Sequence, residues 1–175
     1  MAANVRECLT LRDGSRVMVR EIEPEDAPAL QRFVGRLSER SIHLRYFGPM
    51  KELSENQARY FAEVDGRYRY ALVALDPEDA KEIVGVVRYD RETDTDRAEY
   101  AAVVEDRIQG KGLGIALTRR LIEAARTQGI GHLYALVMPE NSEMLGMLRS
   151  LHLPEHIKWE EGVEHVDIDI HPRAA

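Results

Sequence analysis

The order of elements predicts an α+β layered fold, a mixed central sheet flanked by helices. Three observations carry that reading. Strand-like and helix-like runs alternate along the chain with no break in composition and no internal repeat. Asp13-Gly14 sits between two alternating runs, a strong hairpin signal, and a second hairpin closes the chain. Between them, Ala98 to Met138 reads as strand, loop, helix and strand, a crossover that is right-handed by rule and sets a glycine loop at the carboxyl edge of the sheet.

The elements follow in order. Glu7 to Leu11 and Arg16 to Ile22 form the first hairpin. Pro24 opens a helix, with Glu25 and Asp26 in its first turn and Leu30, Phe33, Val34 and Leu37 as its apolar stripe. Glu39 to Tyr46 is a short second helix closed by Gly48-Pro49. Ser54-Glu55-Asn56-Gln57 is a capping box, so a third helix runs from there to about Val64. Tyr68 to Leu75 is a strand, Asp76-Pro77-Glu78-Asp79 a turn, and Glu82 to Tyr89 the next strand. Gly85 in that strand signals a bulge or a close backbone approach. Arg91 to Asp96 is polar and loop-like. Ala98 to Val104 is nearly continuously apolar, as a strand covered on both faces should be. Leu113, Leu117, Leu121 and Ala125 then recur at helical spacing until Gly129 and Gly131. His132 to Met138 is a buried strand, Ser142 to Leu151 a helix, and Lys158-Trp159 with Val163 to Ile170 the last hairpin.

Composition bounds the function. A chain of 175 residues, 44% apolar and 31% charged, fits one domain over residues 1–175. The apolar stretch Ala71 to Leu75 is far short of the ~20 residues of a membrane span. Met1 to Thr10 carries charges and lacks the core of a secretory signal. Cys8 is the single cysteine, so no internal disulfide forms, and a reducing, cytoplasmic setting is expected. With no histidine beside it, Cys8 reads as a bystander. A net charge of −7 and no basic run argue against nucleic acid. Acidic residues at Glu155, Glu160, Glu161, Glu164, Asp167 and Asp169 read as a solvated hairpin. His152 and His156 are four apart, but Pro154 breaks the helical face between them, so no metal is expected.

The chemistry-bearing stretch is Gln109-Gly110-Lys111-Gly112-Leu113-Gly114, between a strand and a helix. Glycines let backbone approach an anion, and the first amides of a helix lack internal partners while the dipole adds positive charge. A P-loop requires Ser or Thr after its lysine, and Gly112 follows Lys111. A dinucleotide loop needs Gly-x-Gly-x-x-Gly. Counting from Gly110 the last position is Ile115, and from Gly112 it is Leu117. What remains is Gln-x-x-Gly-x-Gly, or a plain glycine-rich helix cap.

That pattern resembles the pyrophosphate loop of the GNAT acetyltransferases. Further segments resemble the GNAT domain of bacterial Pat-type protein lysine acetyltransferases: Leu11-Arg12-Asp13-Gly14, Val19 through Asp26, Arg45-Tyr46-Phe47-Gly48-Pro49, Gly85-Val86-Val87-Arg88-Tyr89, Ala98 through Val104, and Pro139-Glu140-Asn141 with Met144-Leu145. The likeness spans nearly the whole chain. It implies the GNAT acyl-CoA N-acyltransferase fold and acetyl transfer from acetyl-coenzyme A (acetyl-CoA) to an amine. The implied donor site is the backbone of Gln109, Gly110, Lys111, Gly112, Leu113, Gly114 and Ile115 around the pyrophosphate, with added charge from Lys111 and Arg107. Val103 and Val104 pair with the pantetheine arm, and the Val104 N–H stabilises the developing oxyanion, an effect of ~3 kcal/mol. Asn141 contacts the same arm or simply caps the next helix.

An amine must lose a proton before it attacks. Lysine, with a pKa of ~10.4, is neutral in roughly one molecule in a few thousand at pH 7. A positioned base gives ~10²–10⁴-fold. Glu99 is the candidate, by resemblance and because an apolar strand should desolvate it. The alternative is an exposed carboxylate paired with Arg88 or Arg97. Two departures from the family pattern stand out. The helix after Asn141 lacks the tyrosine that often protonates the leaving thiolate, which leaves Tyr134, another group or no acid. His152-Leu153 stands where Gly-Phe is usual. Arg45-Tyr46-Phe47 either lines the acceptor groove or packs as an aromatic pair under a surface arginine. Protein lysine is the expected acceptor. The alternatives are a small-molecule amine and a non-catalytic acyl-CoA-binding module.

Overall fold

A computed structural model describes residues 6–172. Among them, eight strands form one sheet in the order β1-β2-β3-β4-β5-β6-β8-β7. The strands are β1 (Arg6–Thr10), β2 (Arg16–Glu21), β3 (Arg69–Leu75), β4 (Ile83–Arg91), β5 (Arg97–Val104), β6 (His132–Val137), β7 (Glu155–Glu160) and β8 (Val163–Asp169). The helices are α1 (Ala27–Arg36), α2 (Glu39–Tyr46), α3 (Glu55–Ala62), α4 (Leu113–Thr127) and α5 (Ser142–Arg149). Only β5 and β6 pair in parallel. None of these helices is long and apolar enough to cross a membrane.

Two hydrophobic layers cover the sheet. On one face, Leu113, Leu117 and Leu121 of α4 pack on Leu72, Val87 and Tyr89. On the other, Leu30, Phe33 and Val34 of α1 pack on Ala71, Val73 and Val86 with α3. Central strands are therefore buried on both sides, as the apolar runs require.

Local chemistry explains the boundaries. Gly14 takes the positive φ of the first turn, 85°. Pro24 opens a 3-10 turn that leads into α1. The Ser54 hydroxyl accepts from the Gln57 amide and the Gln57 carbonyl from the Ser54 amide, so the capping box forms as expected. Beside Gly85 the register slips between Ala74 and Leu75, and a Cβ at Gly85 would stand 3.2 Å from Leu113 Cδ2. Both expectations for that glycine hold.

Several boundaries differ, β4 among them, which runs to Arg91 rather than Tyr89. Helix α3 stops at Ala62, and α5 ends at Arg149. His152 then adopts a φ of 54°, so a histidine supplies the left-handed exit that glycine usually makes. Strand β7 starts at Glu155 rather than Lys158 and is almost wholly exposed, because β8 inserts between it and β6.

Candidate active site

The sheet opens at its centre. Strands β5 and β6 pair only from Arg97–His132 to Glu99–Tyr134, and beyond that point they separate. The cleft they leave has a volume of about 690 Å³. Its walls include β5 from Glu99 to Val104, Ala135 to Val137 of β6, the glycine loop and α5.

Register decides which β5 backbone groups face this cleft. The Glu105 N–H donates to Val84 O at 2.9 Å, so Val104 and Gly85 are a non-hydrogen-bonded antiparallel pair. The N–H groups of Val104 and, two residues back, Ala102 therefore point away from β4 and into the opening. Val103 is the opposite case. Its amide and carbonyl pair with Val86, so the expected pairing of the Val103 backbone with a ligand arm is corrected: Val103 offers the cleft its side chain alone.

At the cleft's far end, Gly110 and Gly112 hold φ values of 77° and 88°. Gly112 is the N-cap of α4, and the first helical bond runs from the Ala116 N–H to Gly112 O. The amides of Leu113, Gly114 and Ile115 therefore have no helical partner, and all three residues line the cleft. A side chain at Gly114 would meet Met147 Sδ at 3.3 Å, so glycine lets α4 approach α5 here.

Gln109 acts as a brace. Its Nε2 donates to Val104 O at 2.8 Å and to Ser41 Oγ at 3.3 Å, joining strand end, loop and α2. Asp106 extends the brace, accepting from the Ser38 amide at 2.9 Å and the Ser41 hydroxyl at 2.8 Å. Burial pushes the Asp106 pKa up, but these bonds outweigh it and hold the carboxyl below its ordinary value.

The expected charges near the loop are redistributed. Arg107 pairs with Glu105 and Asp76 and does not line the cleft, so its anticipated contribution is withdrawn. Lys111 Nζ sits 3.0 Å from Asp13. That carboxyl is held at about 2, chiefly by the Ser15 hydroxyl and amide and then by Lys111. The cation lining the cleft beside the loop is Arg12, which sequence reasoning missed. Its N–H donates to Lys111 O at 3.0 Å, and its Nε lies 3.2 Å from where a Gly112 Cβ would be. The segment Leu11 to Gly14 carried the resemblance, but nothing in it announced contact with a loop about a hundred residues away.

Glu99 lines the other end of the cleft. It is exposed, contrary to the expected desolvation, because the start of β5 alternates and Glu99 falls on the solvent side between buried Ala98 and Tyr100. Its cross-strand neighbours are Asp90 and Tyr134. Among the described residues neither anticipated arginine pairs with it: Arg97 reaches Asp167 at 3.1 Å and Arg88 donates to Phe61 O at 3.0 Å. Arg88 is partly buried, and burial first, then Arg45, lowers its pKa to about 10. Tyr134 does not line the cleft, and burial, with its hydroxyl donating to the Glu92 carboxylate, raises its pKa to about 12, so it is no acid for a leaving group there. Tyr100 lines the cleft, but its hydroxyl is bonded to Thr118 at 2.6 Å. Asn141 caps α5 through Oδ1, accepting from the Met144 amide at 3.1 Å, and also lines the cleft. The helix-cap reading of Asn141 is the one the hydrogen bond bears out. Arg45 and Phe47 line the cleft as well, and Phe47 is 41% exposed rather than packed away. Cys8 is exposed on β1, outside the cleft.

The comparisons with known proteins agree with this geometry. The chain matches the acetyltransferase (GNAT) domain family over residues 16–153. It is 33% identical over 136 residues to acetyltransferase PA5475 of Pseudomonas aeruginosa, covering 77% of this chain and 73% of that protein. The chain belongs to the GNAT acetyltransferase family. This GNAT enzyme is also 34% identical over 104 residues to an L-methionine sulfoximine/L-methionine sulfone acetyltransferase of Pseudomonas paraeruginosa, over 57% of this chain and 59% of that one. Among solved structures, the GNAT domain of S. lividans PAT superposes with a TM-score of 0.86 at 31% identity, covering 94% of this chain and 96% of that chain. The family's donor is acetyl-CoA, and the enzyme is an acetyl-CoA-dependent N-acetyltransferase. The residues present fit that donor: unpartnered amides at Leu113, Gly114 and Ile115 suit a diphosphate, and an unpaired strand edge suits an amide-bearing arm.

Proposed function

We propose that this enzyme acetylates the side-chain amine of a protein lysine, with Glu99 as the base. The observation that carries the reading is the position of Glu99: lining the cleft, exposed, on the strand whose far end meets the glycine loop. A base in the open suits an acceptor that brings one long arm into the cleft while its bulk stays outside. Exposed Phe47 at the same cleft gives that bulk an apolar surface.

Strand spacing refines the roles. Glu99 and Val104 are five residues apart, ~17 Å on an extended strand, whereas Ala102 is ~10 Å from Glu99. The Ala102 N–H therefore receives the thioester oxygen, and Val104 holds the pantetheine arm through its amide. The diphosphate lies on the amides between Gly110 and Ile115, beside Arg12. Glu99 takes the ammonium proton through water, the neutral nitrogen attacks the thioester carbon, the C–S bond breaks, and the second proton the nitrogen loses passes through water to the departed thiolate. The thiolate leaves without a tyrosine acid, being a good leaving group.

A second reading rests on Arg45 in the cleft with Arg88 close behind it. Two guanidiniums suit an acceptor that carries a carboxylate, such as an amino acid, and the methionine sulfoximine relative is similar in that sense. Mass spectrometry of a proteome and a metabolite panel, each incubated with enzyme and acetyl-CoA, separates the two. Acetyl-lysine on proteins supports the first reading; acetylation confined to small amines overturns it. Glu99→Gln should lower kcat/KM by ~10²–10⁴-fold with unchanged acetyl-CoA affinity. Unchanged turnover removes Glu99 from the chemistry.

A further inference from the structure

Three segments distant in sequence converge away from the cleft. Asp96 precedes β5, His132 begins β6 and His171 follows β8. One candidate ligand atom from each lies within 4.8 Å of the other two. A tetrahedral ion with ~2.0–2.1 Å bonds places its ligand atoms about 3.3 Å apart. His171 Nε2 already stands 3.5 Å from Asp96 Oδ2.

Both imidazoles are held from behind by carboxylates. Asp167 Oδ1 lies 3.0 Å from His132 Nδ1, and Asp169 Oδ1 lies 2.7 Å from His171 Nδ1. Such bonds place the proton on Nδ1 and leave Nε2 as a basic ligand, the arrangement that metal-binding histidines use. Gly131 keeps the space clear. A Cβ there would fall onto His171 Nε2 and Asp96 Oδ2, and Gly131 is not among the glycines with positive φ. Room for the His171 and Asp96 side chains, rather than backbone freedom, is what glycine provides at this position.

We propose that Asp96, His132 and His171 bind a divalent transition metal of the zinc type. Two imidazoles and one carboxylate suit zinc better than magnesium or calcium, which prefer oxygen alone. The carboxylates of Asp167 and Asp169 add negative charge around it. His171 and Asp96 are about half exposed, so water completes the coordination. None of the three residues lines the donor cleft. The ion is a staple: it ties the start of the parallel pair β5–β6 to the chain leaving β8, and acetyl transfer proceeds without it. The six histidines gave no hint of this, because the ligands lie tens of residues apart and meet only through the sheet.

Metal-free protein is titrated with zinc chloride by calorimetry and with cobalt(II) by visible absorption. The expected result is one equivalent of zinc, cobalt d–d bands of low-coordinate intensity, and a Tm that rises with zinc and returns with EDTA. His171→Asn and Asp96→Asn, both at exposed side chains, abolish the stoichiometric signal. Asp167→Asn weakens zinc by ~10–100-fold. His156→Asn changes nothing, and turnover in all four variants stays within about twofold of wild type. No zinc heat and no Tm shift overturn the proposal, as does full affinity in either ligand variant.

Discussion

Replacing Gly112 with valine tests the donor loop at its tightest point. Gly112 sits at a φ of 88°, and a Cβ there would stand 3.2 Å from Arg12 Nε and 3.5 Å from Arg12 Cγ. Arg12 cannot retreat as a unit, because its N–H is bonded to Lys111 O. If the loop keeps its shape, a left-handed L-residue costs ~1–2 kcal/mol, more for a β-branched one. A chain of this size loses ~2–4 °C of Tm per kcal/mol. If the loop relaxes instead, the amides of Leu113, Gly114 and Ile115 rotate away from the anion. Hydrogen bonds to a charged group contribute ~1.5–3 kcal/mol each, so losing two weakens acetyl-CoA binding by ~10²-fold or more. Calorimetry with acetyl-CoA and a thermal melt read both branches. Gly110→Ala is the control, since its φ is 77° but a Cβ there meets nothing within 4 Å. A folded Gly112→Val protein that binds acetyl-CoA with wild-type affinity would refute the loop assignment.

Other outcomes follow from the same geometry. Arg12→Ala should weaken acetyl-CoA by about tenfold, the loss of one charge-assisted contact of ~1.5 kcal/mol, and the difference should shrink as calorimetry is repeated at rising salt. Gly85→Val drives its Cβ toward Leu113 Cδ2 and toward Leu117 Cδ1, which would lie 3.3 Å away. Overpacking of that kind costs ~1–3 kcal/mol and should appear in urea melts. Asp106 has a folded pKa below the ordinary 3.8, so the stability it adds is complete above about pH 4 and disappears as pH falls through the folded value. Asp106→Asn should therefore cost up to ~1 kcal/mol at pH 7, since the carboxylate is exposed and screened, and much less in acid, measured as urea midpoints at both pH values. An equal loss at both would contradict the role given to its charge.

Much of this enzyme was legible in the sequence because its signals are local. The capping box at Ser54, the leucine spacing of α4 and the glycines before it each report on a few neighbouring residues. Gly85 announced its own crowding. The parity of β5 was not legible. Whether the Val103 or the Val104 amide faces the cleft depends on register with β4, and nothing within Ala98 to Val104 encodes that. The burial of Glu99 was misjudged for a related reason: apolar neighbours along a strand lie on the opposite face. Arg12 and the cluster of Asp96, His132 and His171 are joined only by the folded sheet. His152 shows the converse, a histidine adopting the left-handed exit that a glycine would signal.

Amide hydrogen exchange, read residue by residue with and without acetyl-CoA, bears most directly on the claim that the opening between β5 and β6 holds the donor. In the free enzyme the Val103 amide, paired with Val86, should exchange slowly while those of Ala102 and Val104 should exchange fast. Saturating acetyl-CoA should slow Ala102, Val104, Gly114 and Ile115 together. Exchange at these four amides that stays fast while acetyl-CoA is bound would contradict the account.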